Sequence, residues 1–226
     1  MDRPEVIINI ASSFDGIIGS EQGALSLSTE EDWIRVHNLR NSVDAILIGV
    51  NTLISDNPLL TVRLTKPKSP HPFRVVLDSK CRIPLESNIL KEQDKFPTIV
   101  FTSEDSPLAK RKQIQDLNVI VEVILKKTKE DFLDLNTVLQ VLNDDYNVGK
   151  VLVEGGSTIV TKFLQNNLVD LLYLFYRPVF AGSKGGKSLY NDNTVTDISK
   201  ALNLKILAIK HSTKGLLITL EPIKNK

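Results

Sequence analysis

Short apolar runs, rich in β-branched residues, recur along the chain and stop at polar, glycine or proline positions. Runs of this length and composition are typical of buried strands. We predict buried or extended strands at residues 6–11, 45–50, 59–64, 74–77, 98–102, 119–125, 151–153 and 171–176. Residues 66–72 contain three prolines and are predicted to form a surface connection.

Helical spacing of apolar positions appears between several of these runs. Ser28 followed by Glu31 fits a capping box, after which Trp33 and its apolar neighbours fall on one face, so Trp33 is predicted to lie in the core. Two further helical patterns occupy residues 135–142 and 158–165.

The end of the chain has a different pattern, with two apolar runs at residues 204–210 and 216–221 joined across Lys214 and Gly215. This arrangement predicts an antiparallel hairpin. The whole pattern favours one α/β domain over residues 1–226, with a mainly parallel central sheet, helices on both faces and the hairpin at one edge.

Composition and charge exclude several classes of protein. The chain has 226 residues, 42% hydrophobic and 24% charged, and 28 basic against 27 acidic residues leave a net charge of +1. Such balance argues against a nucleic-acid partner, which usually requires a basic surface. Cys81 is the only cysteine, which excludes disulfides and cysteine-based metal sites and favours the cytoplasm. We expect no membrane span and no signal peptide.

Ligands of open α/β sheets bind beyond the carboxyl ends of the strands, so the residues after each strand are the first candidates. The segment from Glu154 through Gly155, Gly156 and Ser157 to Thr158 combines a carboxylate, two glycines and two hydroxyls at a predicted helix start. It is interpreted as a phosphate-binding turn, the alternative being a plain turn with Ser157 as the helix cap. It is neither a dinucleotide-binding G-x-G-x-x-G motif nor a Walker A loop.

Other strand ends also carry polar residues. Asp78 and Ser79 follow a strand and precede Lys80 and Arg82, two cations that either meet a nucleotide 2′-phosphate or are solvated surface charges. The remaining junctions are 9–16, with Ser12, Ser13 and Asp15 in a predicted turn, 49–52 followed by Asp56, and 177–178. None of the three histidines, His37, His71 and His211, forms a metal-binding pair, and surface or capping roles are predicted for all of them.

Taken in order, these junctions resemble one known family. The matching segments are 13–16 (Ser-Phe-Asp-Gly), 35–40, 44–49 with Thr52, 56–63 (Asp-Asn-Pro-Leu-Leu-Thr-Val-Arg), 72–79, 153–156 (Val-Glu-Gly-Gly), 168–170 and 178–182. They are similar to the pyrimidine reductases of riboflavin biosynthesis. The resemblance spans nearly the whole chain and implies a dihydrofolate-reductase-like fold, a homodimer and NADPH as cofactor, with NADH as the other possibility.

The resemblance also implies a reaction, the reduction of a ribosylaminopyrimidine 5′-phosphate to its ribityl form by hydride delivery to C1′. A single cysteine cannot build the zinc site of the deaminase that is fused to bacterial relatives. The implied substrate is therefore the one used by the archaeal and fungal enzymes, 2,5-diamino-6-ribosylamino-4(3H)-pyrimidinone 5′-phosphate.

Site residues follow from the resemblance position by position. The implied cofactor-binding residues are Ala11, Ser12, Thr52, Asp56, Asp78, Ser79, Lys80, Gly155, Gly156, Ser157 and Thr158. The implied substrate-binding residues are Ser28, Arg40, Leu60, Arg63 and Glu154, with the two arginines as candidates for the phosphate. Bacterial relatives carry Lys where this chain has Asn9, so Asn9, Asp56 and Glu154 are the catalytic candidates, with water as a further proton source.

Two other functions compete with this interpretation. One is a dihydrofolate reductase or another pterin or pyrimidine reductase of the same fold, in which Glu30, Glu31 or Asp32 of the first helix would meet the ring. The other is a non-catalytic nucleotide-binding dimer module that has kept the phosphate-binding turn.

Overall fold

A computed structural model describes residues 3–20, 23–125, 132–182, 184–191 and 195–223. The chain divides into two compact units. The central unit comprises Met1–Glu5 and His37–Leu152, and the terminal unit comprises Val6–Val36 and Val153–Lys226. No helix in the described ranges is long and apolar enough to cross a membrane.

The described residues form twelve strands and five α-helices. The strands are β1 (Glu5–Ser13), β2 (Ile17–Ser20), β3 (Gly23–Ala24), β4 (Ala45–Gly49), β5 (Phe73–Leu77), β6 (Thr98–Ser103), β7 (Ile120–Ile124), β8 (Lys150–Val153), β9 (Leu171–Arg177), β10 (Gly186–Ser188), β11 (Leu204–Ser212) and β12 (Gly215–Pro222). The helices are α1 (Glu30–Arg40), α2 (Val50–Asp56), α3 (Leu108–Gln115), α4 (Leu135–Asp144) and α5 (Ser157–Gln165).

The central unit is built on neighbouring strands in the order β8-β4-β5-β6-β7. Strands β4 to β7 pair in parallel, with Ala45 opposite Phe73 and Arg74 opposite Thr98. Every residue of β4 and β6 is buried, as expected for parallel strands covered on both faces. Polar residues of this unit therefore collect after the strand ends.

The terminal unit has neighbouring strands in the order β11-β12-β9-β1, together with a small sheet β10-β2-β3. Strand β1 pairs in parallel with β9, whereas β12 is antiparallel to both β9 and β11. Strands β11 and β12 form the predicted hairpin across Lys214 and Gly215. The α/β class, the mainly parallel sheet and the antiparallel C-terminal hairpin are thus confirmed, while a single folding domain stays a prediction.

The element predictions were wrong in several places. Residues 59–64 form no strand, and Leu60 has a left-handed backbone with φ of 49°. Val50 begins a helix instead of ending β4. The patterns also missed α3, whose eight residues carry few apolar side chains, and the small sheet, whose strands are only two to four residues long.

Helix α1 buries a different face from the one that its apolar pattern predicts. Its cap is Thr29, whose Oγ1 accepts from the backbone N–H of Asp32 at 3.2 Å, so the prediction of a cap at Ser28 is wrong. Trp33 is 41% exposed, and the prediction that it lies in the core is also wrong. The helix instead buries a mainly polar face, composed of Asp32, Val36, His37 and Arg40.

Candidate functional site

The turn between β8 and α5 has the features of an anion-binding helix start. Gly155 has φ of 125°, a conformation that residues with a Cβ rarely adopt. Gly156 is the N-cap and provides no side-chain cap. The buried Oγ of Ser157 has no hydrogen-bond partner among the described residues, so the alternative that Ser157 caps the helix is wrong. A phosphate oxygen is a suitable partner for this hydroxyl and the first helical N–H groups.

The neighbouring candidates of the turn differ in exposure. Glu154 is half-buried directly after β8, and Thr158 is exposed in the first turn of α5. Ser28 is half-buried just before α1.

Among the described residues there is no cluster of three or more histidine, cysteine or acidic side chains that could hold a metal ion.

A second polar group lies on β1, within the terminal unit. Asn9 is buried, and its Oδ1 accepts a hydrogen bond from Arg35 Nη2 at 2.7 Å. Asp32 Oδ1 in turn accepts from Arg35 Nε at 2.8 Å. The Arg35 guanidinium also lies over the Tyr173 ring, 5.9 Å from its centroid. Because its oxygen faces Arg35, the Asn9 amide is oriented with its Nδ2 donors pointing away.

Arg35 was not among the predicted site residues. The sequence feature that could have indicated Arg35 is its position at the start of the 35–40 segment, which resembles the family. Neither spacing nor charge indicated its contact with Asn9, since the partners are 26 residues apart in the chain.

The end of β1 is held by side-chain hydrogen bonds. Ser12 is buried and its Oγ donates to the Ser13 carbonyl at 2.9 Å, while Ala11 is half-buried. Both serines belong to β1 and not to the predicted turn. Asp15 accepts from the Ser13 hydroxyl and from the backbone N–H groups of Ala181 and Gly182, and these bonds lower its pKa to about 2.

In the central unit, the candidates after β4 and β5 fall into exposed and buried sets. On α2, Thr52 is half-buried and Asp56 is exposed. Asp78 has 0% exposure, and its Oδ2 accepts from the backbone N–H of Ile83 at 2.8 Å, so its carboxylate organises the loop after β5. The half-buried Ser79 accepts from Ser103 Oγ through its carbonyl at 2.7 Å.

The two cations that follow are on the surface. Lys80 is exposed, and so is Arg82, whose Nη2 donates to Asn51 Oδ1 at 2.8 Å. Exposure agrees with both interpretations of this pair, as solvated charges and as ligands of a nucleotide phosphate.

The remaining central candidates surround an irregular segment at residues 60–63. Arg40 is buried and its Nη1 donates to the Thr61 carbonyl at 3.0 Å. Leu60 is buried, whereas Arg63 is exposed. The backbone N–H groups of Val62 and Arg63 donate to two histidine rings.

Those rings correct the histidine prediction. His37 is 0% exposed, and its Nδ1 accepts from the Arg63 N–H at 3.0 Å. His71 is half-buried, and its Nε2 accepts from the Val62 N–H at 3.0 Å. His211 is exposed as predicted. The prediction failed for His37 because helical spacing placed it off the apolar face, while the helix buries its polar face.

Both units place polar side chains directly after the strands of an α/β architecture, the arrangement of enzymes that bind small ligands at strand ends. A sequence model of the family described as the RibD C-terminal domain matches residues 4–218, so the chain belongs to this family. The resemblance found from the motifs is thereby confirmed.

Individual relatives agree with this assignment. The chain is 32% identical over 223 residues to the 2,5-diamino-6-ribosylamino-4(3H)-pyrimidinone 5′-phosphate reductase of Methanothermobacter thermautotrophicus, covering 94% of this chain and 100% of that protein. It is 35% identical over 191 residues to the reductase of the same name from Archaeoglobus fulgidus, covering 80% of this chain and 84% of that protein.

Solved structures support the fold. RibD of Acinetobacter baumannii superposes with a TM-score of 0.85 at 26% identity, over 99% of this chain and 59% of that one. Dihydrofolate reductase of Enterococcus faecalis superposes with a TM-score of 0.56 at 13% identity, over 97% of each chain. The expected dihydrofolate-reductase-like fold is therefore confirmed.

Proposed function

We propose that this chain is a reductase of riboflavin biosynthesis that uses NADPH to convert the ribosyl group of 2,5-diamino-6-ribosylamino-4(3H)-pyrimidinone 5′-phosphate into a ribityl group. Membership of the RibD C-terminal domain family supports this function, as does similarity to the archaeal reductases over most of this chain and of theirs. The structural observation that carries it is the start of α5, where the N-cap is Gly156 and the buried Ser157 Oγ has no hydrogen-bond partner in the part of the chain that the structure describes.

The residues present fit a nicotinamide dinucleotide. In the terminal unit, Gly155, Gly156, Ser157 and Thr158 are proposed to bind its pyrophosphate, with Ala11 and Ser12 beside its nicotinamide ring. In the central unit, the proposed cofactor ligands are Thr52, Asp56, Asp78, Ser79 and Lys80. Asp78 acts through the loop that its buried carboxylate holds, and Lys80 is the cation suited to the 2′-phosphate that distinguishes NADPH from NADH.

The substrate is proposed to contact Ser28 and Glu154 of the terminal unit and Leu60, Arg40 and Arg63 of the central unit. Arg63 is exposed and offers a guanidinium fork that matches a phosphate. Arg40 is buried and donates from Nη1 to the Thr61 carbonyl, and it is proposed as the second arginine of the substrate site.

The reaction needs one hydride and one proton, and the bound cofactor supplies the hydride. The chain positions C1′ of the opened sugar or its imine, excludes water and provides the proton path. In the ring-opened form C1′ is doubly bonded to the amino nitrogen as an imine, so hydride adds to C1′ and that nitrogen takes up the proton. Asn9 is an amide and cannot supply a proton, so it is proposed to orient the substrate through its Nδ2 donors, leaving Glu154, Asp56 or water as the proton source.

Strand β11 and Cys81 bear on the assembly of the protein and on its compartment. Strand β11 lies at one end of the strand order in the terminal unit and exposes Ile206 and Ile209. An edge strand with exposed apolar side chains favours pairing with a second copy, and we propose a homodimer. The single cysteine, Cys81, is buried and unpaired, which suits the reducing cytoplasm.

The deciding experiment follows the loss of NADPH absorbance at a fixed enzyme concentration with each of two substrates. The ribosylaminopyrimidine phosphate is expected to be reduced, and dihydrofolate is expected to give no turnover. Replacement Glu154→Gln should lower kcat by at least about tenfold while changing the NADPH dissociation constant less than about twofold, because it removes a proton-transfer group without removing a cofactor ligand.

Each alternative function gives its own result. Turnover with dihydrofolate alone identifies the pterin reductase, and NADPH binding without turnover of either compound identifies the non-catalytic module. Unchanged steady-state kinetics in Glu154→Gln would remove Glu154 from the catalytic set.

A further inference from the structure

Three consecutive residues of the irregular segment in the central unit are held by side chains from elsewhere in that unit. The carbonyl of Thr61 accepts from Arg40 Nη1 at 3.0 Å. The N–H of Val62 donates to His71 Nε2, and the N–H of Arg63 donates to His37 Nδ1, each at 3.0 Å. Leu60, Thr61 and Val62 are buried, so their peptide groups are shielded from water and need partners within the protein.

The two imidazoles must be neutral to accept these bonds, and they carry opposite tautomers. His71 Nδ1 lies 2.8 Å from the Pro72 carbonyl, so Nδ1 carries the hydrogen and Nε2 is the acceptor. His37 accepts through Nδ1, so its hydrogen is on Nε2.

The surroundings of His71 favour its neutral form. Burial is the main cause that lowers its pKa, and it outweighs the hydrogen bond to the Pro72 carbonyl, which raises the pKa. The positive charges of Arg74 on β5 and Arg40 on α1 lower the pKa further. The ring packs edge-on against Phe96, with the centroids 4.7 Å apart. The His71 ring is therefore neutral near pH 7, and its Nε2 keeps the hydrogen bond from the Val62 N–H.

The segment held in this way carries two proposed substrate ligands. Leu60 lies in the left-handed region, with φ of 49°, where a residue with a Cβ stays only if its surroundings hold it. Arg63 is exposed, and its long side chain can meet a phosphate reproducibly only from a fixed backbone.

We propose that His37 and His71 are positioning residues of the substrate site, which fix residues 60–63 so that Leu60 and Arg63 meet the phosphorylated substrate in one conformation. This inference rests on the proposed function for the identity of the substrate. The role proposed for each imidazole is to hold the backbone, because the ring nitrogen that faces the segment accepts from a backbone N–H.

The test compares variants that keep or remove the acceptor atom. His71→Gln places an amide oxygen near the position of Nε2, and His37→Asn places one near Nδ1, whereas His71→Leu and His37→Leu have no acceptor. Both leucine variants are expected to raise the KM for the phosphorylated pyrimidine about tenfold, the effect of losing one hydrogen bond, with kcat and the NADPH dissociation constant changed less than about twofold. The amide variants should recover most of the affinity, and Gln113→Leu at an exposed position of α3 serves as the control.

A second measurement does not depend on substrate. Amide hydrogen exchange of Val62 and Arg63 in the free protein should be at least about tenfold faster in the corresponding leucine variant and close to wild type in the amide variant. Imidazole ¹⁵N shifts should show opposite tautomers for His37 and His71. If His37→Leu fails to fold, the His71 pair and His37→Asn still test the proposal.

The outcomes separate this inference from the proposed function. Absence of turnover in the wild-type protein defeats the proposed function, while exchange and tautomers still report whether the rings hold the segment. Faster exchange with an unchanged KM in the leucine variants overturns the positioning role. Unchanged exchange overturns the claim that the imidazoles hold the segment at all.

Discussion

Arg35 donates a hydrogen bond from Nη2 to Asn9 Oδ1 at 2.7 Å, joining α1 to β1 within the terminal unit. The same guanidinium is bound by Asp32 Oδ1, 2.7 Å from Nη2. Asp32 is thus a buried carboxylate whose one charged partner among the described side chains is Arg35, and its Oδ2 has no hydrogen bond there. The orientation of the Asn9 amide depends on this chain of contacts.

Replacing the carboxylate should therefore destabilise the protein. Asp32→Asn leaves the Arg35 guanidinium without its counter-charge, and we expect the free energy of unfolding to fall by about 2 kcal/mol. The loss is smaller than for a fully buried pair because the Arg35 side chain is 24% exposed. Urea denaturation measures it, with Glu30→Gln at an exposed position of the same helix as the control. Equal stability of Asp32→Asn and wild type would mean that desolvation of the carboxylate offsets the ion pair.

The Ser157 hydroxyl allows stability and binding to be separated. Because its buried Oγ has no hydrogen-bond partner within the described ranges, Ser157→Ala should leave the free energy of unfolding unchanged or raise it by up to about 1 kcal/mol. If the hydroxyl donates to a phosphate, the same change should weaken NADPH binding about tenfold, the effect of losing a hydrogen bond to a charged group.

Thr161 in the same helix provides the matched control. Its Oγ1 accepts from the backbone N–H of Asn191 at 3.0 Å, so Thr161→Val should lower stability by about 1 kcal/mol without changing NADPH affinity. Calorimetric titration gives the NADPH dissociation constant of each variant, and urea denaturation gives its free energy of unfolding. Equal NADPH affinity of Ser157→Ala and wild type would show that the Ser157 hydroxyl does not bind the cofactor.

Most strands of the large sheet and the glycine turn after β8 were predictable because each depends on local sequence. The apolar run at residues 45–49 forms a strand, and the glycines after β8 mark a turn, whereas the apolar residues 59–64 form no strand. The buried polar face of α1 was not predictable in this way. His37 reads as a surface residue until Arg63, 26 residues further along the chain, donates its N–H to the ring. Hydrophobic periodicity contains no information about such partners, because they are set by tertiary packing.

Asp15 makes stability depend on pH in the acid range. Hydrogen bonds from the Ser13 hydroxyl and from the N–H groups of Ala181 and Gly182 lower its pKa to about 2 in the folded protein, below the ordinary value of 3.8. The unfolded chain therefore binds the proton more tightly, so this stabilisation is nearly complete above about pH 5 and is lost as the pH falls towards 2.

The measurement is thermal unfolding between these pH values. Wild type should lose stability more steeply than Asp15→Asn, which has no carboxylate to protonate at this position, and exchange of the Ala181 and Gly182 amides should accelerate over the same range. Parallel pH profiles of the two proteins would exclude this carboxylate as a source of acid sensitivity.

The exposed apolar side chains of β11 test the proposed homodimer. Ile206 is 58% exposed and Ile209 is 53% exposed on the edge strand of the terminal unit. Placing a charge at both positions should block pairing with a second copy while leaving the fold intact, because neither side chain is in the core. Sedimentation velocity at micromolar concentration is expected to show a dimer for wild type and a monomer for the double variant Ile206→Lys, Ile209→Lys. Ile54→Lys changes an isoleucine of similar exposure on α2 and should remain dimeric. A wild-type monomer would contradict the proposed homodimer, and a dimeric double variant would place the interface on a different surface.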